Sequence, residues 1–471
     1  MTAPVPSRLA LAAAALLLAG CAGVAPRDTF QASADLARPG AGADARVAYS
    51  DAERRALASE VAAMLQAPLD IDAAVRLALI NHPGLQATYQ DAGIAQADLV
   101  QATRLRNPSF GFSRMSGGGE REIGRGVSFD LAGLLTMPLR QRMAARRHEE
   151  TTLRIAVAIE QHAHATRRAW IEAVAARQAL DYARQVAAAA DAASDLSARM
   201  RRVGNASALD LAREQAFHAE AAAAVLRAGR ALDTARESLT RQLGLWGEQT
   251  GYTLPERLPD LPPTPAVPAD IERLALERRL DLRAARAAAA GTASDLGLTR
   301  TTRMVNVLDL GYASKSETNE ARSEGYEIAL ELPLFDWGGA RVARAEALYM
   351  ASVQRVAQTA LDARSEARAG YLAYRASYDM AHHYREQVLP LRKRIADETL
   401  LRYNGMLASP FELLADAREQ AGAVHAAIDA LREFWLADTA LRAALGGPAE
   451  SPPAPSQHHH PDSHAMKEPT P

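Results

Sequence analysis

A long run without glycine or proline, Leu139 to Val203, is the feature that most restricts how this chain can fold. Glycine and proline are the residues that most often interrupt helices, and alanine and arginine dominate this run instead. As one unbroken helix, at the usual rise per residue, the run would extend for about 90 Å. Few globular domains need a helix of that length. The sequence therefore predicts long helical rods as the main mass of the protein.

A short turn-forming segment, Val203 to Ser207, is predicted to reverse the chain into a second long helix. In that helix Val225, Leu232 and Leu239 recur every seven residues, and alanines occupy the companion seam. A similar pair of helices is predicted around Asn404-Gly405, with Pro390 as the kink in the first of them. These patterns indicate antiparallel coiled helices.

Four short segments interrupt the helical pattern, and each alternates apolar with small or polar residues as a β-strand does. They include Ser109 to Ser113, Val127 to Leu131, Leu308 to Tyr312 and Tyr326 to Leu332. Four strands cannot close a barrel, because even small barrels need about eight. Either they form an open sheet packed on helices, or several chains pool their strands. A membrane location requires the second arrangement, since lipid leaves unpaired backbone groups unsatisfied.

The N-terminal segment resembles the signal peptide of a bacterial lipoprotein. An apolar run from Leu9 to Ala19 follows Arg8, is too short to span a bilayer, and ends in the small residues before Cys21, the only cysteine. Cys21 would then be the lipidated first residue of the mature protein, and Ala22 after it favours the outer membrane. A buried free cysteine is the alternative. A single cysteine excludes an internal disulfide framework.

The two halves of the chain repeat one pattern. "RLAL" occurs at Arg76 to Leu79 and again at Arg273 to Leu276, and Ala206 to Leu211 resembles Ala408 to Leu413. Repeats of roughly two hundred residues are too long for a solenoid unit and indicate duplication of a large half.

The predicted segments are a signal peptide (1–20), a linker after Cys21 (21–66), a first repeat (67–247), a proline-rich linker (248–269), a second repeat (270–446) and a Pro/His-rich disordered tail (447–471). Asp270 is a plausible N-cap for the helix that follows the linker.

Several motifs together resemble the TolC-like outer membrane efflux proteins, a family with lipidated members. The resemblance runs from about Ile71 to Gly446, and "LPLFDWGGAR", Leu332 to Arg341, is its most specific part. "ALINHPGLQA", "RLRNPSF" and "VLPLRKRIADETLLRYNGMLASPFELL" match other family segments. In the first half, Met137-Pro138-Leu139 stands where the second half has Leu332-Pro333-Leu334, but the Phe-Asp-Trp-Gly that follows there is missing.

The resemblance implies a mainly α-helical fold with a small β part: long antiparallel coiled helices forming a periplasmic α-barrel, and four transmembrane strands per chain that complete a twelve-stranded barrel in a homotrimer. It implies a location in the outer membrane, contact with outer membrane lipid, and two protein partners, a periplasmic adaptor and an inner-membrane pump of the RND type. The barrel exit would be formed by Pro333, Phe335, Trp337 and Gly338. The adaptor contacts would include Val203, Gly204, Ser207, Gly405, Leu407 and Ser409.

Acidic residues near the predicted tips are candidates for a gate. Glu412 and Asp416 lie one helical turn apart, and Asp210 is the first-half counterpart of Glu412. In a trimer they would form rings of like charge that attract cations and repel one another. The alternative is that they are solvated acids favoured at helix starts by the helix dipole.

Histidines are the residues most suggestive of metal chemistry. Those within the helices, such as His162 and His164, are scattered and are predicted to be surface residues, whereas His458, His459, His460 and His464 in the tail could bind copper or zinc weakly. No cofactor is expected, and no nucleophile and base occur at matching spacing, so an enzyme is not predicted. The net charge of −2 gives no indication of nucleic acid binding.

The sequence therefore predicts the channel component of a tripartite efflux system, a passive exit duct whose cargo could be a heavy metal such as copper or a drug. The alternative is a helical, periplasmic scaffolding or binding lipoprotein whose strands never enter the bilayer.

Overall fold

The computed structural model describes residues 26–304 and 307–448. Most of this part of the chain is helical, with one four-stranded antiparallel sheet, so the predicted mainly α-helical fold with a small β part is confirmed. The helices are α1 (Pro26–Ala41), α2 (Asp51–Met64), α3 (Ile71–Asn81), α4 (Pro83–Ala102), α5 (Leu131–Arg202), α6 (Ala208–Leu243), α7 (Ile271–Arg278), α8 (Leu280–Thr301), α9 (Gly339–His383), α10 (Leu389–Asn404) and α11 (Pro410–Leu445). A 3-10 turn covers Gly247–Gly251 and a π-helical turn covers Tyr384–Val388.

The sheet is a simple meander in which the spatial order of the strands follows the sequence. Its strands are β1 (Ser109–Gly117), β2 (Glu120–Asp130), β3 (Leu308–Glu317) and β4 (Ser323–Leu330). The two strands of each half form a β-hairpin, with two residues between β1 and β2 and five between β3 and β4. β2 and β3 pair although a long stretch of helix lies between them in the chain. The predicted alternation is confirmed, but β4 ends at Leu330, before Leu332, and Leu131 already belongs to α5.

The long rod predicted from the first half is a single helix of 72 residues, α5, which at the usual rise is about 110 Å long. It begins directly where β2 ends, because the side chain of Asp130 caps the helix by accepting a hydrogen bond from the backbone N–H of Gly133. Pro138 lies inside the helix. The expected equivalence between Met137-Pro138-Leu139 and Leu332-Pro333-Leu334 is therefore wrong: the first three residues are helical, and the second three lie in a loop.

The second half divides its corresponding rod into two helices. α9 ends at His383, the π-helical turn Tyr384–Val388 follows, and α10 begins at Leu389. This confirms the interruption predicted at Pro390, which has no N–H to donate to the carbonyl four residues earlier and whose ring would collide with that carbonyl in a regular helix. The extra residue of a π-helical turn is a common way to accommodate such a break.

Three hydrophobic clusters hold the helices together. One surrounds Trp170 of α5 and another surrounds Phe434 of α11, where Phe434 contacts Tyr374 and Tyr378 of α9. The third buries one face of α1 against α4 and α5, with Phe30 packed on Tyr89. Thr29 of α1 lies beside His148 of α5, and Arg167 of α5 donates to the last carbonyl of α1, at Ala41. α1 therefore runs alongside α5 with its N-terminus toward the sheet.

Candidate functional site

The sheet has one apolar face that is exposed in the single chain. In register across the four strands lie Phe110, Val127, Tyr312 and Tyr326, and the next row holds Phe129, Leu310 and Ile328. Tyr326 is 86% exposed and Ile328 is 70% exposed. A sheet in a soluble protein normally buries such a face against other elements. Toward the hairpin ends this face becomes mixed, with Arg114, Arg125 and Glu324 beside Phe112 and Ile123.

The opposite face of the sheet is polar, with glycine and alanine at its centre. One complete row across the strands consists of Gly111, Gly126, Ala313 and Gly325. Lys315 on this face pairs with Glu122 and Glu317, while Glu327 lies on the adjoining strand, nearer the helices. Alternation between an apolar outer face and a polar, uncrowded inner face is the pattern of strands that line a water-filled barrel.

Both edges of the sheet are available for pairing. Among the described residues, β1 pairs only with β2, and β4 pairs only with β3. The strands contain 9, 11, 10 and 8 residues, which is close to the length that a tilted strand needs to cross a bilayer. In the described part of the chain, no helix is both long and apolar enough to cross a membrane.

The predicted barrel exit is a sharp, exposed turn between β4 and α9. Gly338 caps α9 with φ of 71°, and a Cβ there would lie 2.8 Å from the carbonyl oxygen of Arg303, so only glycine fits. Asp336 accepts a hydrogen bond from the N–H of Gly338 at 2.8 Å. Phe335 is 99% exposed, and Trp337 is also exposed. Pro333 lies in the loop that precedes them. Large aromatic side chains at this position are typical of the membrane interface.

The two helical tips have the same backbone geometry. At the first tip, the N–H of Gly204 donates to the carbonyl of Arg201, and the N–H of Asn205 donates to the carbonyl of Met200. At the second tip, the N–H of Met406 donates to the carbonyl of Tyr403, and the N–H of Leu407 donates to the carbonyl of Arg402. Both are therefore helix ends of the Schellman type. Each tip then starts its next helix with a capping box, Ser207 with Asp210 and Ser409 with Glu412.

The predicted adaptor-contact residues line these tips. Val203 is exposed beside Gly204, which has a left-handed backbone conformation with φ of 82°. At the second tip Gly405 has ordinary backbone angles, and Met406 has the left-handed conformation instead. Met406 is 94% exposed and Leu407 is 82% exposed. Ser207 and Ser409 serve as helix caps. Exposed apolar side chains therefore mark both turns.

Each of the three acids proposed for the gate has a local partner. Asp210 and Glu412 accept hydrogen bonds from the N–H groups of Ser207 and Ser409, and the Ser207 hydroxyl and N–H lower the pKa of Asp210. Asp416 accepts a hydrogen bond from Thr399, which joins α11 to α10. Helix capping thus accounts for the presence of Asp210 and Glu412 at these positions without a gate.

No sequence pattern predicts the buried ion pair that joins the two helical hairpins. The first helical hairpin is formed by α5 and α6, and the second is formed by α9, α10 and α11. Glu214 of α6 is 3% exposed and is paired with Arg418 of α11, whose guanidinium lies 4.6 Å from the ring centroid of Phe217. Glu Oε2 and Arg Nε of this pair are buried without a further hydrogen-bond partner. Both residues occur in ordinary charged helical sequence, and no local motif distinguishes them. This pair connects the first hairpin to the second close to their tips.

Two of the helix histidines are not surface residues, contrary to the prediction. His164 is buried, and His162 is half-buried, with its ring against that of His82 and its Nε2 2.9 Å from the carbonyl oxygen of Gln242. Burial lowers the pKa of both His162 and His164 to about 4, so both are neutral near neutral pH. Within residues 26–304 and 307–448, no group of three or more metal-ligating side chains is assembled.

Two predicted sites lie outside the described residues. These are the lipidation site Cys21, together with its signal segment, and the tail histidines His458, His459, His460 and His464. Both stay predictions. Titration of a peptide of residues 457–471 with Cu²⁺ or Zn²⁺ tests the second, and absence of binding would remove the only indication of a metal cargo.

Solved structures resemble this chain, whereas no protein-family model and no curated protein sequence matches it. The Campylobacter jejuni CmeC outer membrane channel has a TM-score of 0.69 and 16% identity, covering 81% of this chain and 86% of that one. The outer-membrane channel OprN has a TM-score of 0.67 and 20% identity, covering 80% and 90%. The open state of the Neisseria gonorrhoeae MtrE outer membrane channel has a TM-score of 0.64 and 18% identity, covering 79% and 88%. The resemblance to TolC-like channels is thereby confirmed at the level of the fold.

Proposed function

We propose that this chain is the outer membrane channel of a tripartite efflux system. Three copies pool their sheets into one barrel of twelve strands and their helices into a periplasmic tunnel. The tunnel passively conducts substrates delivered by an inner-membrane pump of the RND type through a periplasmic adaptor. The observation that carries this proposal is the sheet: its apolar face is exposed, its other face is polar and uncrowded, and both of its edges are free to pair.

A periplasmic scaffolding lipoprotein is the alternative, and the same sheet argues against it. Such a protein would gain stability by covering Phe110, Tyr326 and Ile328 with helices, at roughly 25 cal/mol for each Å² of apolar surface removed from water. In this chain those side chains remain exposed. Oligomeric closure within a bilayer satisfies the strand edges and the apolar face at the same time.

Lipidation at Cys21 is compatible with the position of α1. Residues 26–29 belong to α1 and rise about 4.5 Å, and the five residue steps from Cys21 to Pro26 reach at most about 18 Å when extended. Thr29 contacts His148, and α5 rises about 27 Å between Asp130, where β2 ends, and His148. Cys21 could therefore lie within about 5 Å of the level at which the sheet begins, a gap that its lipid chains can span. We propose that it anchors the chain to the periplasmic leaflet of the outer membrane.

Two substitutions at neighbouring positions of β4 test the channel. Ile328→Arg places a charge on the apolar face and should destabilise insertion by about 2–4 kcal/mol at mid-bilayer depth, less near the interface. Ala329→Arg, its matched control, places the same charge on the polar face. We expect Ile328→Arg to deplete trimers from the outer membrane fraction, and Ala329→Arg to assemble normally but conduct less in planar bilayers. Equal assembly of both variants as soluble monomers would favour the scaffolding lipoprotein.

The acids at the tips are proposed as a gate of this channel, and charge-neutral variants separate that role from helix capping. Glu412→Gln and Asp210→Asn keep a hydrogen-bonding side chain at the capping position while they remove the charge. If rings of like charge control the tunnel mouth, both variants, and Asp416→Asn, should change single-channel current and reduce its preference for cations. Currents identical to those of the unmodified protein would leave capping as the only role of Asp210 and Glu412.

The adaptor is proposed to contact the exposed turns at Val203, Gly204, Ser207, Gly405, Leu407 and Ser409, where apolar side chains face solvent. The proposal predicts cross-linking between these turns and the adaptor in cells, and failure of every tip position to cross-link would contradict it. The cargo, whether a metal ion or a drug, is not specified by any described residue.

A further inference from the structure

Four segments join the sheet to the helices, and all four are rich in arginine. They are residues 103–108 before β1, 131–148 after β2, 296–304 before β3 and 337–345 after β4. Together they contain ten arginines and no aspartate, glutamate or lysine. We call these ten residues the arginine collar: Arg104, Arg106, Arg140, Arg142, Arg146, Arg147, Arg300, Arg303, Arg341 and Arg344. A band of positive charge therefore lies at the sheet-proximal end of the helices.

Apolar side chains separate the collar from the sheet in both halves. In the first half, the exposed Leu134 and Leu135 precede Arg140 in α5. In the second half, the exposed Phe335 and Trp337 precede the arginines of α9. Apolar, aromatic and basic residues follow one another in this order where a chain leaves the hydrocarbon core, passes the interface and reaches the headgroups.

Distances along α9 match the thickness of a headgroup layer. Arg341 and Arg344 lie three and six residues beyond Gly338, which corresponds to a rise of about 5 and 9 Å. The headgroup region on each side of a bilayer is about 5–8 Å thick, and an arginine side chain extends toward it from a backbone that lies outside it. With Trp337 at the interface, both guanidinium groups are within reach of phosphates in the leaflet that faces the periplasm.

Local carboxylates neutralise only part of the collar. Four arginines have such a partner: Arg106 with Asp130, Arg146 with Glu149, Arg147 with Asp295 and Arg300 with Glu346. Arg140 donates to the carbonyl oxygen of Gly133 instead. Within residues 26–304 and 307–448, Arg142, Arg303 and Arg344 have no carboxylate partner, and all three are exposed. The collar therefore carries uncompensated positive charge.

Part of the collar lines a cleft of about 330 Å³ between α5, α8 and α9. Arg147, Arg341 and Arg344 lie in its wall, and Asp295 is the one carboxylate among its described lining residues. Arg147 binds that carboxylate at 2.9 Å, and Arg341 donates to the carbonyl oxygen of Arg303 at 3.2 Å. Three guanidinium groups and one carboxylate leave the cleft positively charged.

From this arrangement we propose that the cleft binds the phosphate of an anionic phospholipid, such as phosphatidylglycerol, in the periplasmic leaflet of the outer membrane. Arg341 and Arg344 bind the phosphate oxygens, which the forked guanidinium group fits. Basic pockets between helices at a membrane surface bind anionic headgroups in this way. A zwitterionic headgroup brings its own cation and leaves the excess charge of the cleft uncompensated. The inference rests on the proposed channel, because it needs the sheet to lie in the bilayer.

Lipid binding to trimers of the full-length protein in a neutral detergent tests this site. Native mass spectrometry counts bound phosphatidylglycerol and phosphatidylcholine during titration with each lipid. We expect phosphatidylglycerol to bind about tenfold more tightly, and this preference to shrink as salt screens the charges. Arg344→Gln should weaken the binding of phosphatidylglycerol about fivefold, the effect of one cation near a lipid surface, and Arg341→Gln combined with Arg344→Gln should weaken it about 25-fold.

Arg355→Gln is the matched control. Arg355 lies on the same helix, is exposed, and has no carboxylate partner among the described residues. It lies eleven residues beyond Arg344, so it occupies the same face of the helix about 16 Å farther from the sheet. This variant should bind phosphatidylglycerol like the unmodified protein. Equal effects of Arg344→Gln and Arg355→Gln, or equal affinities of the unmodified protein for the two lipids, would overturn the assignment.

Two further measurements separate other partners from the lipid. Displacement of phosphatidylglycerol by millimolar inorganic phosphate would identify a site for free anions and contradict a lipid site. Arg344→Gln trimers that dissociate at a lower temperature than unmodified trimers, even without lipid, would identify a carboxylate of the next copy as the partner, with the same consequence. If that variant does not assemble, phosphatidylglycerol with a photoreactive headgroup is applied to the unmodified protein: labelling of residues 338–348 supports the site, and labelling confined to other segments opposes it.

Failure of this site is distinguishable from failure of the proposed channel. If the unmodified chain forms no trimers and inserts into bilayers of neither lipid, the channel itself fails. Trimers that conduct ions but bind both lipids equally leave the channel intact and remove only the lipid site.

Discussion

Replacement of Arg418 by alanine is expected to weaken the packing between the two hairpins by about 3–5 kcal/mol, because it leaves the buried carboxylate of Glu214 without a cation. Glu214 is 3% exposed, so water reaches its carboxylate only if α11 moves away from α6. The substitution also removes the guanidinium that lies on the ring of Phe217. We expect faster hydrogen exchange in residues 210–220 and, in planar bilayers, longer open periods.

Two controls distinguish loss of this link from a general effect of removing arginine. The double variant Arg418→Leu with Glu214→Leu should recover most of the lost stability, since apolar pairs of similar size often replace buried ion pairs without cost. Arg432→Ala removes a more exposed pair on the same helix, with Asp429 at 3.1 Å, and should change stability by less than about 1 kcal/mol. Equal effects of Arg418→Ala and Arg432→Ala would mean that the buried pair does not hold the hairpins together.

The parts of the fold that the sequence predicted correctly depend on local signals. Absence of glycine and proline predicts α5, alternation predicts the strands, and Pro390 predicts the break before α10. The exit from β2 could not be predicted in the same way. Met137-Pro138-Leu139 stands where the second half has Leu332-Pro333-Leu334, but Asp130 caps a helix immediately after the strand. Flanking residues with high helix propensity continue that helix through Pro138.

In the candidate site, too, features encoded by neighbouring residues could be predicted, and features that join distant residues could not. Capping boxes at Ser207 and Ser409 join residues three positions apart, so a sequence pattern is enough to find them. Glu214 and Arg418 lie 204 residues apart, and only the packing of α6 against α11 brings them together. His164 is likewise buried although it lies in ordinary helical sequence. Pairings between distant, individually ordinary residues leave no local pattern to detect.

Conversion of Glu160 to glutamine is expected to stabilise the docking of α1 at neutral and alkaline pH. The Glu160 carboxylate of α5 lies against the backbone of Gly40 in α1. Burial, followed by the neighbouring carboxylate of Asp281, raises the pKa of Glu160 to about 8, although Arg279 and Arg283 act in the opposite direction. At neutral pH the folded protein therefore holds a proton that the unfolded chain, with an ordinary pKa near 4.5, would release.

The sign of the pH dependence follows from this difference. A group whose folded pKa is raised contributes its full stability below the unfolded pKa, and it loses that contribution as the pH rises through the folded pKa. Between about pH 5 and 8 the unmodified protein should lose up to about 1.4 kcal/mol per pH unit relative to Glu160→Gln, which cannot ionise.

Unfolding of both proteins as a function of pH, and protease cleavage of α1, measure this difference. Glu172→Gln, an exposed substitution on the same helix, is the matched control and should follow the unmodified protein. The effect should be concentrated in α1 because the carboxylate faces that helix, and α1 lies between the predicted lipid anchor and the helical rods. Parallel pH profiles for Glu160→Gln and the unmodified protein would mean that Glu160 is ionised in the folded state, hydrated by water that enters beside Gly40.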